Sequence, residues 1–299
     1  MKHDLRITFI ILALFVLAQL LGLYVVNHYQ EGKNELPFGL QSPTIQNQSD
    51  YYSFFPSIIL AFIFAILIFF FLTKVRVEFI LKAWFFAVVV ISLSISFLSI
   101  LSPIKNALLF SFVLASCLAA LKVFKRNFIV HNATEIFIYP GIASVFVPLL
   151  NPWTVIALLI LISIYDAWAV WHSGIMQKMA KYQIDKLKIF SGFFVPYLSK
   201  QLREKIAKLK KKLPKSKLKK QKIRVNVAIL GGGDIVFPII TAGVMLKAFG
   251  IVSALWVIAG ATLGLTYLFF ISEKKKFYPA MPFITAGIIL GVIASLLFL

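Results

Sequence analysis

The chain has 299 residues, of which 60% are hydrophobic and 14% charged, with a mean hydropathy of +0.90 and a formal net charge of +20. Soluble domains carry charge on nearer a quarter of their residues, so this composition excludes an ordinary soluble protein. Because 17 of the 31 Lys and Arg lie between Lys178 and Arg224, the charge describes a membrane-facing polybasic loop, not a nucleic-acid-binding surface.

Apolar runs of about 20 residues, the length a helix needs to cross a bilayer, recur along the chain. Nine are predicted. The first covers residues 7–26; its basic start looks like that of a signal peptide, but the run is long and lacks a small-x-small cleavage site, so it reads as a retained helix. A polar loop follows over 27–53, carrying the weak glycosylation signal Asn47-Gln48-Ser49. The second to fifth runs cover 54–73, 83–101, 107–121 and 136–150, the last interrupted by Pro140 and Pro148. After the turn at Asn151-Pro152 the sixth covers 153–176, and the last three cover 225–246, 251–271 and 279–299. The chain thus divides into spans one to six (1–176), a basic linker (177–224) and spans seven to nine (225–299).

Basic residues orient this all-α, multi-pass arrangement. With the N-terminus in the cytoplasm, inner segments hold 28 of the 31 Lys and Arg, and outer segments hold only Lys33, Lys105 and Lys247. Positive-inside bias therefore predicts nine transmembrane helices with a cytoplasmic N-terminus and an external C-terminus. Within the linker, residues 189–198 form an apolar patch, where control of substrate access is one reading. Leu202, Ile206, Leu209 and Leu213 recur at near-helical spacing among lysines, the pattern of a helix on an anionic membrane surface. Residues 210–222 read instead as a solvated charged loop.

Two of the eleven acidic residues lie deep within apolar runs: Asp166 in the sixth and Asp234 in the seventh. An acid at the centre of a membrane helix costs about 2.5–3.5 kcal/mol on insertion scales and marks a functional site. Each is expected about ten residues from the cytoplasmic end of its helix, hence about 15 Å deep at ~1.5 Å per residue. Two acids at one depth on consecutive antiparallel helices can meet. Close carboxylates share a proton and titrate as a pair, the arrangement by which one activates water while the other protonates a carbonyl. Intramembrane acids also mark proton and cation pathways, so a transporter is the competing reading. The four histidines show no ligand spacing, and neither HExxH nor CxxC is present, which argues against a metal-dependent membrane protease. The single Cys117 excludes an internal disulfide.

Gly231-Gly232-Gly233 precedes Asp234, and Pro238 follows it. Three consecutive glycines loosen a helix and admit another backbone; close helix packing is the alternative reading. Pro279-Ala280-Met281-Pro282 opens the ninth run, and two prolines three apart predict an unwound stretch, against the simpler reading of a helix start with Pro in its first turn. Tyr165 adjoins Asp166 and is either a hydroxyl donor to the site or an aromatic packing residue. The pairs Gly260/Gly264 and Gly287/Gly291 read as helix packing.

Tyr165-Asp166, Gly231-Gly232-Gly233-Asp234 and Pro279-Ala280-Met281-Pro282, in this order on the sixth, seventh and ninth spans, resemble the YD, GxGD and PAL motifs of the presenilin / signal peptide peptidase family of intramembrane aspartyl proteases. Met281 stands where that family usually has Leu, a volume-conserving change. The resemblance implies a single-chain prokaryotic homologue, archaeal or bacterial, in the cell membrane. It implies Asp166 and Asp234 as catalytic pair, Tyr165 and Gly231 to Gly233 as supporting residues, and Pro279 to Pro282 as a substrate-binding stretch. The implied substrates are transmembrane helices of other proteins, with no metal or organic cofactor. Partners are then those substrates and the bilayer, with anionic lipid at the basic linker; oligomeric state stays open.

Overall fold

The computed structural model describes residues 5–30, 34–40, 48–74, 78–125, 127–173, 190–197, 226–273 and 278–298. Nine α-helices are present among them: α1 (Leu5–Tyr29), α2 (Gln48–Lys74), α3 (Glu78–Leu101), α4 (Ala107–Phe124), α5 (Phe128–Phe146), α6 (Pro152–Trp168), α7 (Gly232–Phe249), α8 (Ile251–Ile271) and α9 (Met281–Phe298). Seven helices among the described residues are long and apolar enough to cross a membrane. The helical path of α2 is continuous through Pro56. Helix α5 carries His131, Glu135 and Pro140 and is less uniformly apolar than its neighbours. Many large apolar side chains point outward, among them Phe9, Phe79, Trp153 and Leu290. Soluble monomers do not expose apolar surface on this scale, and the protein is a multi-pass membrane protein.

Local sequence sets the helix ends. Asn151 caps α6 by accepting from Thr154 N–H at 2.8 Å, while the Thr154 hydroxyl accepts from Asn151 N–H at 2.9 Å. Pro152 takes the first helical position, where its missing N–H costs nothing. Asn127 caps α5 through Ile129 N–H at 2.9 Å. Beyond Trp168 the helix widens into a π-turn over Ala169–Ser173.

Two clusters make up most of the interior. One joins α3, α4 and α5 through Val89, Leu93, Ala115, Ala119 and Ile138. The larger gathers α1, α5, α6, α7, α8 and α9 with residues such as Phe15, Leu159, Ile235, Ile239 and Ile284. Helices α8 and α9 pack as the glycine pairs predict. A Cβ on Gly260 would strike the Gly287 carbonyl, and one on Gly287 would strike that of Gly260. The backbones touch directly, which only small residues permit.

The apolar patch in the linker and the start of the predicted seventh span are not helical. Gly192–Tyr197 forms strand β1 and Asn226–Gly231 forms β2, paired antiparallel with Gly192 opposite Gly231 and Tyr197 opposite Asn226. Val227 and Ile229 favour extended backbone and the glycines that follow disfavour helix, so the expected helix from residue 225 begins only at Gly232. The rest of the linker, including the predicted amphipathic stretch at Leu202 to Leu213, lies outside the described residues.

Candidate active site

Asp166 sits in the last α-helical turn of α6 and is buried. Asp234 sits in the first turn of α7, three residues beyond the end of β2. It therefore lies at a helix N-terminus, not ten residues inside a helix. Its distance from the linker is spanned by the strand, which rises about 3.3 Å per residue. The two carboxylates are close enough that the charge of Asp166 bears on Asp234.

Main-chain donors hold both acids. Met281 N–H donates to Asp166 Oδ2 at 3.1 Å, and the adjacent Ala280 N–H also bonds that carboxylate. Met281 is the first residue of α9, so its N–H is one of the donors a helix leaves free at its start. The Pro279–Pro282 stretch is only half unwound. Pro279 and Ala280 are non-helical, whereas Met281 and Pro282 already belong to the first turn of α9. Proline tolerates that position because the turn asks no N–H of it. On the opposite side, Gly231 N–H bonds the Asp234 carboxylate. Each acid thus lies at the positive end of a helix, α9 for Asp166 and α7 for Asp234.

The glycines differ from one another. A Cβ on Gly231 would stand 3.1 Å from Asp234 Oδ2, and one on Gly232 would stand 2.7 Å from Ser191 Oγ and 2.8 Å from the Tyr139 hydroxyl. On Gly233 it would meet only Phe237, at 3.7 Å. The crowding at Gly231 and Gly232 is that of a loop pressed against its own carboxylate and against α5. Tyr165 is 38% exposed on the outer side of α6, about a quarter turn from Asp166. Proline at 238 lacks the N–H that would pair with the Asp234 carbonyl, four residues earlier.

Three residues around the site carry no sequence signal that singles them out. The Tyr139 hydroxyl lies 3.4 Å from Ser191 Oγ and within electrostatic range of Asp234. Gln19 of α1 donates to the Ile235 carbonyl at 3.0 Å, tying α1 to the first turns of α7. Ser163 donates to Thr285 Oγ1 at 2.7 Å, joining α6 to α9 less than one turn from Asp166. Polar side chains in apolar helices were the only available signal, and they recur too often in this chain to select these three.

Two acids come together where α6 ends and α7 begins, with main-chain N–H groups from the starts of α7 and α9 on their carboxylates, an arrangement with the chemistry that paired-acid hydrolysis needs. Residues 12–299 match the model of the family described as signal-peptide peptidase, presenilin aspartyl protease, and the chain belongs to that family of intramembrane aspartyl proteases. Its fold is similar to two solved structures of a presenilin family intramembrane aspartate protease. In space group C222 the TM-score is 0.63 at 19% identity, covering 98% of this chain and 99% of that one. In space group P2 the TM-score is 0.61 at 19% identity, covering 97% of each. No curated protein matches the sequence.

Proposed function

We propose that Asp166 and Asp234 are the catalytic pair and that they cleave transmembrane helices of other membrane proteins within the bilayer. The observation that carries this is the convergence of two carboxylates, Asp166 fixed by main-chain donors at the start of α9 and Asp234 by the Gly231 N–H of its own turn. A pair sharing one proton holds a water between its members. The ionised acid takes a proton from that water as it attacks the scissile carbonyl, and the protonated acid donates to the carbonyl oxygen. Because Gly231, Ala280 and Met281 supply N–H groups, the ionised form is stabilised without a buried basic side chain.

A helical substrate hides its carbonyls in its own hydrogen bonds, so it must unwind before attack, and its freed groups then need partners in lipid. Strand β2 supplies them by edge-on addition of an extended substrate segment. In the β1–β2 pairing, the outward main-chain groups of β2 belong to Val227, Ile229 and Gly231, and this row ends at Asp234. Pro279–Pro282 forms the opposite wall.

The reading includes nine spans with the N-terminus in the cytoplasm and the C-terminus outside, supported by the positive-inside bias. It also includes the division into 1–176, 177–224 and 225–299, with the basic linker on anionic lipid. The test incubates purified protein with a transmembrane peptide and compares wild type with Asp166→Ala and Asp234→Ala. Loss of cleavage in both is expected; cleavage that persists in either rejects the paired-acid mechanism.

A further inference from the structure

Strand β1 has a second edge, and α5 closes it. The Asn132 side chain makes two bonds with one residue of the strand: its Oδ1 accepts from Phe194 N–H at 3.0 Å, and its Nδ2 donates to the Phe194 carbonyl at 2.9 Å. This reproduces what a neighbouring strand would offer. One residue pair along, His131 Nε2 lies 2.8 Å from the Gly192 carbonyl. Outward-facing groups belong to alternate residues, here Gly192, Phe194 and Pro196, and Pro196 has no N–H to offer. The outer edge of β1 is therefore largely taken, while on that of β2 the described contacts show one side-chain partner, the Asp234 carboxylate on Gly231 N–H at its very end.

The His131 bond has a defined polarity. Lys122 Nζ of α4 lies 3.1 Å from His131 Nδ1 and 2.5 Å from Glu135 Oε1, with both Lys122 and Glu135 almost fully buried. An ammonium has only donors, so Nδ1 must accept from it. The ring proton then sits on Nε2 and points at the Gly192 carbonyl. A buried ion pair between α4 and α5 in this way selects the tautomer that grips the strand.

We propose that His131 and Asn132 are positioning residues: by closing the outer edge of β1 they hold the β1–β2 pair in one register and so determine which substrate bond reaches the carboxylates. The proposal rests on the proteolytic reading above. Neither side chain meets the reacting atoms; each acts through β1, then β2, then the Gly231–Asp234 turn. Freed from α5, the strand pair gains lateral play, and an added substrate strand arrives in more than one alignment.

The experiment uses the full chain, purified, with a transmembrane peptide that the wild type cleaves, and reads product masses. Asn132→Ala and His131→Ala are expected to keep cleaving while the share of product from the principal bond falls at least twofold, with new cuts within one or two residues of it. Asn132→Asp keeps the bond from Phe194 N–H and is expected to scatter less; should the alanine variants fail to accumulate, it carries the comparison alone. Product shares identical to wild type, with rates lowered only in proportion to folded protein, would overturn the proposal. Failure of the wild type itself to cleave rejects the proteolytic reading instead, so the two failures are distinguishable.

Discussion

Among the described residues, main-chain N–H groups and not basic side chains meet Asp166 and Asp234, and substitutions should reflect that. Replacing either acid by Asn removes the charge at nearly constant shape. Cleavage of a transmembrane peptide is expected to fall by about 10³-fold or more, since members of a catalytic unit are individually indispensable. Stability should move the other way or not at all, because a buried neutral amide costs less than a buried carboxylate. Thermal unfolding of Asp166→Asn and Asp234→Asn in one detergent checks this, and a large drop in midpoint would argue that the acids are structural. Gly231→Ala is a subtler probe. Its new methyl group would press on Asp234 Oδ2 from 3.1 Å, so activity is expected to drop at least tenfold with little loss of folded protein. Full activity in Gly231→Ala would mean that the carboxylate tolerates displacement.

Helix contacts transmit to the site because α9 carries the Met281 N–H that holds Asp166. Gly287→Ala would place its Cβ on the Gly260 carbonyl and force α8 and α9 apart. Overpacking of this kind costs about 1–3 kcal/mol, so the variant is expected to unfold several degrees earlier and to lose activity with it. Between α4 and α5 the concern is charge. Lys122→Ala strips the cation from Glu135, whose side chain is 1% exposed, and stranding one member of a buried pair costs about 3–5 kcal/mol. Lys122→Met combined with Glu135→Gln removes both charges, and its midpoint is expected to return most of the way to wild type. A double variant no more stable than Lys122→Ala would show that the ion pair itself, and not the avoidance of a lone charge, is what the helices require.

Across the whole molecule, the direction of insertion is the testable quantity. In a Cys117→Ser background, Lys105→Cys should react with a membrane-impermeant maleimide from outside the cell, whereas Lys125→Cys should react only after the membrane is opened. Labelling in the reverse sense would invert the topology. Long apolar runs and three short motifs made the class of protein and its multi-pass character visible beforehand. Asp166, Asp234, the glycines before the second acid and the prolines of α9 all stood out because they are expensive or helix-breaking in a bilayer. Less legible was what local pattern leaves ambiguous. Residues 192–197 and 226–231 are short apolar runs that serve equally as strand or as buried helix, and only their pairing across the linker decided for strand. For the same reason Asp234 was placed inside a helix when it stands at the start of one.

The amino-acid sequence by itself determined the class of protein and its multi-pass character and singled out the two acids, because hydropathy and the cost of a buried charge are properties of individual residues. Only the tertiary structure decided what surrounds those acids. Main-chain donors from Ala280 and Met281, the Tyr139 hydroxyl behind Gly232, and the grip of His131 and Asn132 on β1 all join segments far apart in the chain. Backbone N–H groups are identical at every residue except proline, so no side-chain pattern announces which of them will face a carboxylate.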